Sequence, residues 1–138
     1  MIDLDHPNYQ FVAARLLLFA TRKQLYGRMH DTPTVRKHVE ECVERGVYDA
    51  EILDLYTEEE FEKLQAMIDH HRDYLFTYAG LRQVVDKYLV QDRSSGTLYE
   101  TPQFMYLLIA ATIFSKYPKE TRLDYVKKYY DAISRHKI

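Results

Sequence analysis

IDHHRDYLFTYAGLRQVVDKYLVQD spans Ile68 to Asp92, and its first residues set two histidines, an arginine and two aspartates side by side in Asp69–Asp73. If those side chains form a metal or catalytic site, the chain is an enzyme in its own right. If they form a junction between helices, it is a structural domain. Spacing favours the junction. Histidines that share a metal on a helix sit four residues apart, whereas His70 and His71 are adjacent and would point about 100° apart on a helix. Only Asp69 and Asp73 have helical i, i+4 spacing, and Arg72 places a positive charge beside them. His71-Arg72-Asp73 also spells the start of a kinase catalytic loop, but that loop needs an asparagine where this chain has Tyr78, and the chain has neither a Gly-rich loop nor a DFG sequence. The junction reading puts Asp73 near a helix N-terminus, where the dipole favours a carboxylate.

Helix signals surround this junction. Pro7 opens a helical pattern through Phe11, Ala14, Leu18, Leu25 and Met29. Thr32-Pro33 reads as a cap and first-turn proline for a helix through Val35, Val39 and Val43, stopped at Gly46. Asp49 is expected to cap a short turn through Leu53. Thr57 and Glu60 form a capping box for a helix that buries Phe61, Leu64, Met67 and Ile68. After the junction, a helix is expected from about Tyr74 to Asp86. Two β-prone runs around Ser94-Ser95-Gly96 read as a hairpin. Thr101-Pro102 repeats the cap-and-proline device before FMYLLIAATIFSKY, which Pro118 ends. From Glu120 a last helix presents Leu123, Val126, Tyr130 and Ile133 on one face. The expected fold is mainly α: a helical bundle-like single domain over residues 1–138 with one short β-hairpin.

Bulk properties narrow the function classes. The 138 residues suit one domain with a real core. The net charge of −2 gives no electrostatic case for nucleic acid or membrane binding. The single cysteine, Cys42, excludes an internal disulfide and fits a reducing compartment such as the cytoplasm. No apolar run approaches the roughly 18 residues of a membrane span, and MIDLDHPNYQ does not read as a signal peptide. The final SRHKI carries no cap, so the chain reads as cut from something longer.

The remaining chemistry-bearing residues have ordinary structural readings. Cys42 is a helical packing residue. Glu58, Glu59 and Glu60 are first-turn acids. Tyr125, Lys127, Lys128 and Tyr129 resemble a single-strand-binding surface, but fit a core-plus-solvated-face helix better. No nucleophile elbow and no phosphate-cradling glycine loop is present. From the residues alone, an autonomous helical interaction adaptor leads, with no catalytic residue and no metal site.

Motifs spread over nearly the whole chain add a resemblance. They are YQFVAARLLLFATRKQLYG (Tyr9–Gly27), YTEEEF (Tyr56–Phe61), the Ile68–Asp92 stretch, and YETPQFMYLLIAATIFSKYPKETRLDYVKKYYDAIS (Tyr99–Ser134). The combination of R-D-x-x-F-x-Y, K-Y-L-V-Q and a Pro-Gln-Phe helix resembles the N-terminal helical domain of the large (alpha) subunit of class I ribonucleotide reductase. That resemblance implies an oxidoreductase that makes deoxyribonucleotides from ribonucleoside diphosphates by radical chemistry. Its catalytic residues lie in an α/β barrel outside this segment, so no catalytic residue carries over. The implied role is to link a regulatory ATP cone to that barrel, with the small subunit as a further partner and ATP or dATP as allosteric effectors. The Ile68–Asp92 stretch becomes a structural junction, and His71 stands where the family usually has an acid. The F-x-x-R-K-x-x-Y-G segment matches Phe19, Arg22, Lys23, Tyr26 and Gly27, and so puts a regulatory-ATP contact at Lys23. With the rest of the cone absent, Lys23 alone is not expected to bind ATP usefully.

Overall fold

The computed structural model describes residues 7–26, 33–92, 94 and 97–135. The architecture is mainly helical with one two-stranded hairpin, as the periodicity predicts. Backbone contacts group the chain into two units that alternate along the sequence, one from Met1–Thr32 with His70–Pro102 and the other from Pro33–Asp69 with Gln103–Ile138.

The first unit is built on α1 (Pro7–Tyr26), a 3-10 segment (His70–Leu75), α5 (Tyr78–Gln83), a π turn (Val84–Tyr88) and strands β1 (Gln91–Asp92) and β2 (Thr97–Leu98). α1 turns Ala14, Leu18, Thr21 and Arg22 inward, and all are buried. Phe11, expected on that face, does lie on the stripe of Ala14, Leu18 and Arg22, seven residues before Leu18, yet it is exposed near the N-terminal end of the helix. Met29 lies outside the described residues. The helix expected from Tyr74 begins four residues later, at Tyr78. Thr77 has extended backbone and its hydroxyl accepts from the Gly80 amide at 3.3 Å, so the cap lies past the junction. The helix then loosens into the π turn, closed by Leu89 N–H to Val84 carbonyl at 3.0 Å. The Gln91 side chain donates through Nε2 to the Val85 carbonyl at 2.7 Å, satisfying an acceptor of that turn. The hairpin pairs Gln91 with Leu98 and Asp92 with Thr97. Asp92 accepts from the Ser94 amide at 3.0 Å, while Ser95 and Gly96 of the expected turn lie outside the described residues.

The second unit holds α2 (Val35–Glu44), α3 (Ile52–Leu55), α4 (Glu58–Met67), α6 (Pro102–Ile113, which enters this unit at Gln103) and α7 (Arg122–Ser134). The cap of α2 is Thr34, whose hydroxyl accepts from the Lys37 amide at 3.2 Å. The expected cap Thr32 lies outside the described residues, and Pro33 precedes the cap instead of opening the helix. Gly46 ends this region at φ 75, a left-handed conformation that glycine adopts without steric cost. Asp49 accepts from the Glu51 amide at 3.0 Å ahead of α3. Thr57 and Glu60 make the expected reciprocal capping box. Val35, Val39, Phe61, Leu64, Phe104, Leu107, Val126 and Tyr130 are buried, whereas Val43, Met67, Ile68, Leu123 and Ile133 are only partly so. Cys42 is buried on α2, as a packing residue should be, and its sulfur lies 3.8 Å from His38 Nε2. α6 ends at Ile113, before Pro118, and three turn residues follow.

Thr101 does not cap α6 with its side chain. Its hydroxyl is buried and has no hydrogen-bond partner. A buried, unpaired hydroxyl costs about 1–3 kcal/mol by mutational measures. Thr101→Val keeps the shape and removes that group, so it is expected to stabilise the chain by about 1 kcal/mol. Urea denaturation of the two proteins reads this directly, and a loss of stability would show that the hydroxyl is satisfied.

Candidate functional site: the Arg22–Asp73 junction beside Lys23

Of the residues singled out by sequence, Arg22, Lys23 and His70 to Asp73 fall in the first unit, whereas Asp69 falls in the second, its amide donating to the Tyr130 hydroxyl at 3.0 Å. The 3-10 turn His70–Leu75 carries Asp73 inward until it is fully buried. There its Oδ2 accepts from Arg22 Nη2 at 3.1 Å, and the same Nη2 donates to the His70 carbonyl at 3.0 Å. Arg22 arrives from the last turns of α1, one helical turn beyond Leu18 and on the same buried stripe. Tyr74 packs against both arginines of that helix, its ring centroid 5.7 Å from Arg22 Cζ and 5.4 Å from Arg15 Cζ, distances at which the ring face attracts a cation. The exposed His71 lies 5.9 Å from Tyr74, ring to ring.

This geometry decides what the junction can do. Asp73 is held by an arginine in a dry site, so it is neither a general base nor an open metal ligand. Among the described residues, no three His, Cys, Asp or Glu side chains converge as a metal site would require. Arg22 is committed to Asp73 and the His70 carbonyl, so it is not presented to a phosphate. Lys23, the next residue, is exposed in the last turn of α1. A cation there suits the negative end of the helix dipole. That same end disfavours an anion, so Lys23 needs further positive groups or backbone amides to hold a phosphate. Phe19 is partly buried, the side chain of Tyr26 is not described, and Gly27 lies outside the described residues.

A second ion pair, in the other unit, escaped the sequence reading. Glu60 does more than cap α4. Arg122 Nε donates to its Oε2 at 2.8 Å and Nη2 to its Oε1 at 2.5 Å, a bidentate fork. Arg122 also donates through Nη1 to the Ser115 carbonyl at 2.8 Å, and its Cζ lies 4.3 Å from the Tyr56 ring centroid. The hydrogen bonds from Arg122 hold the Glu60 carboxyl below its ordinary range, and those same bonds raise Arg122. Burial pushes the Tyr56 phenol up to about 12, and its hydroxyl donates to the Ala111 carbonyl at 2.6 Å. The one available sequence signal was periodicity: Arg122, Val126, Tyr130 and Ser134 recur every four residues, and all are buried.

A groove of about 500 Å3 opens near the N-termini of α2 and α4. Arg36 lies in it, donating to Glu40 at 2.9 Å and Glu58 at 3.1 Å. Thr34, Phe61, Glu62 and Gln65 complete its lining, with no Cys, Ser or His among them.

The residues 74–138 match the family model described as "Ribonucleotide reductase, all-alpha domain". Over all 138 residues the chain is 51% identical to the ribonucleoside-diphosphate reductase 1 subunit alpha of Escherichia coli and 51% identical to the subunit alpha of Haemophilus influenzae. Across 137 residues it is 42% identical to the subunit alpha of enterobacteria phage T4. The chain belongs to the ribonucleotide reductase large-subunit family. It corresponds to the N-terminal all-alpha domain and spans 18% of the length of each of these three relatives. The family-model match begins at Tyr74, inside the junction, so α1 and Lys23 rest on the full-length relatives alone. The reductase resemblance read from the motifs is therefore upheld for the chain as a whole. No helix among the described residues is long and apolar enough to cross a membrane.

Proposed function

We propose that this chain is the helical domain of a ribonucleoside-diphosphate reductase large subunit, acting in deoxyribonucleotide synthesis by linking a regulatory ATP cone to the catalytic barrel. The observation that carries this is unbroken similarity to alpha subunits over the whole chain, together with its small share of their length. Its buried charges serve the fold, in keeping with a part that positions others. The chain alone is inactive. Its partners are the barrel portion of the large subunit and, in the holoenzyme, the small subunit, in the cytoplasm. ATP and dATP act on the complete enzyme, and Lys23 contributes to holding them only when the remaining cone residues supply the other contacts.

The test is reconstitution. The chain is mixed with the remaining portion of the Escherichia coli alpha subunit and the small subunit, and deoxynucleotide formation is measured with each component alone as a control. Activity confined to the mixture supports the proposal. Reduction by the isolated chain overturns it, and absence of any association favours the autonomous adaptor. In an active assembly that includes the cone, Lys23→Gln is expected to weaken the ATP response about tenfold, as loss of one charge-assisted phosphate contact would. An unchanged effector titration would remove Lys23 from the nucleotide site.

A further inference from the structure

Ile109 and Ile113 stand one turn apart on α6, 41% and 50% exposed. Just beyond them, Phe114 is the hub of an aromatic cluster. Its ring centroid lies 5.0 Å from Tyr117, 5.7 Å from Tyr125 and 5.8 Å from Tyr129, and Tyr117 and Tyr125 are 5.2 Å apart. Tyr117 and Tyr125 nevertheless remain 45% and 44% exposed. All of these residues belong to the second unit.

Single exposed apolar residues are ordinary, but isoleucines leading into a rigid aromatic cluster make a preformed apolar surface. Rings already held by one another lose little further entropy on being covered. Lys116, Lys119, Lys127 and Lys128 are exposed in this segment against Glu120 and Asp124, four cations to two anions. An apolar centre with a charged rim is the anatomy of an interface. The same stacking answers the single-strand-binding idea, because Tyr125 and Tyr129 already pack on Phe114.

The relatives indicate what covers this surface, since this chain accounts for 18% of their length and the rest is carried on the same polypeptide. A free dimer needs about 800 Å2 per partner. A tethered segment needs less, because the linkage supplies effective concentration. We propose that the α6–α7 end, centred on Ile109, Ile113, Tyr117 and Tyr125, is the surface on which the remainder of the large-subunit polypeptide docks, through a face with an apolar centre and an acidic rim. This rests on the domain reading above and adds to it the location of the contact.

Hydroxyl-radical footprinting tests it. Labelling of Tyr117 and Tyr125 is compared between the 138-residue chain and a full-length Escherichia coli alpha subunit carrying this chain in place of its matched segment. The expected result is several-fold lower labelling in the fusion, restored by Ile109→Lys with Ile113→Lys, while the free variant keeps the circular dichroism of the parent. Equal labelling in a fusion that makes deoxynucleotides overturns the surface and leaves the domain reading standing. Equal labelling in an inactive fusion overturns both. Protection of the free chain that rises with its own concentration assigns the surface to a second copy, and protection by a single-stranded oligonucleotide assigns it to nucleic acid. Either result also overturns the proposal.

Discussion

Arg122→Ala is expected to destabilise the chain by about 3–5 kcal/mol, enough to unfold a domain of ordinary stability. The substitution removes the two guanidinium bonds to Glu60 and leaves its almost wholly buried carboxylate with the Thr57 amide of the capping box as a donor. It also removes the cation above the Tyr56 ring and one partner of the Ser115 carbonyl. Glu60→Ala should cost a similar amount for the opposite reason, since it strands the guanidinium and also breaks the capping box. Replacing both at once with apolar residues of similar volume should cost much less than the sum, because the penalty lies in the unpaired charge. Denaturant unfolding of the two single variants and the double variant forms the cycle. Additive losses would show that the two residues act independently.

The same pair gives the stability a pH dependence. Glu60 is lowered in the fold, so its contribution is complete above its unfolded value of about 4.3 and is lost as pH falls through the lower folded value. Tyr56 is raised to about 12, so its contribution is complete below its unfolded value of about 10 and is lost as pH climbs from there toward 12. Unfolding midpoints should therefore hold steady through neutral pH and fall at both ends. Tyr56→Phe should remove the alkaline fall attributable to this group, at the cost of the bond to Ala111. An alkaline limb unchanged in that variant would assign the fall to other groups.

Asp73→Ala is the second large effect, again about 3–5 kcal/mol, because it leaves the buried Arg22 with the His70 carbonyl as its only remaining acceptor among those described above. The damage should concentrate where α1 meets the 3-10 turn. Amide exchange in His70–Leu75 is therefore expected to speed up more than exchange in α4. Arg22→Met should cost a similar amount, since it takes the guanidinium from the fully buried Asp73 carboxylate. Arg22→Met combined with Asp73→Leu should recover much of the loss. If Asp73→Ala leaves both stability and exchange unchanged, the junction does not depend on this pair.

These pairs mark the limit of what could be read from the chain alone. The capping box at Thr57, the stop at Gly46, the hairpin after Tyr88 and the helical content are local events. Each involves groups within a few residues of one another, so residue type and spacing carry the information. The resemblance to reductase large subunits was likewise legible, because it lies in contiguous motifs. Yet even local signals competed. The cap of α2 was expected at Thr32, yet it is Thr34 whose hydroxyl accepts from the Lys37 amide. Thr101 had the pattern of a cap, while its hydroxyl has no partner.

Tertiary structure decided the rest. Arg22 meets Asp73 across 51 positions of sequence, and Glu60 meets Arg122 across 62. Periodicity places such an arginine on a buried face but cannot name the carboxylate it finds there, because an ion pair depends on distance in space and on the loss of water around it. That is why Asp69–Asp73 resembled a reactive cluster in one dimension. Folding separates its members, burying Asp73 against α1 and leaving His71 at the surface. The sequence determined which segments are helical and to which family they belong. The folded chain determined which of its charges are structural, and which apolar side chains stay uncovered.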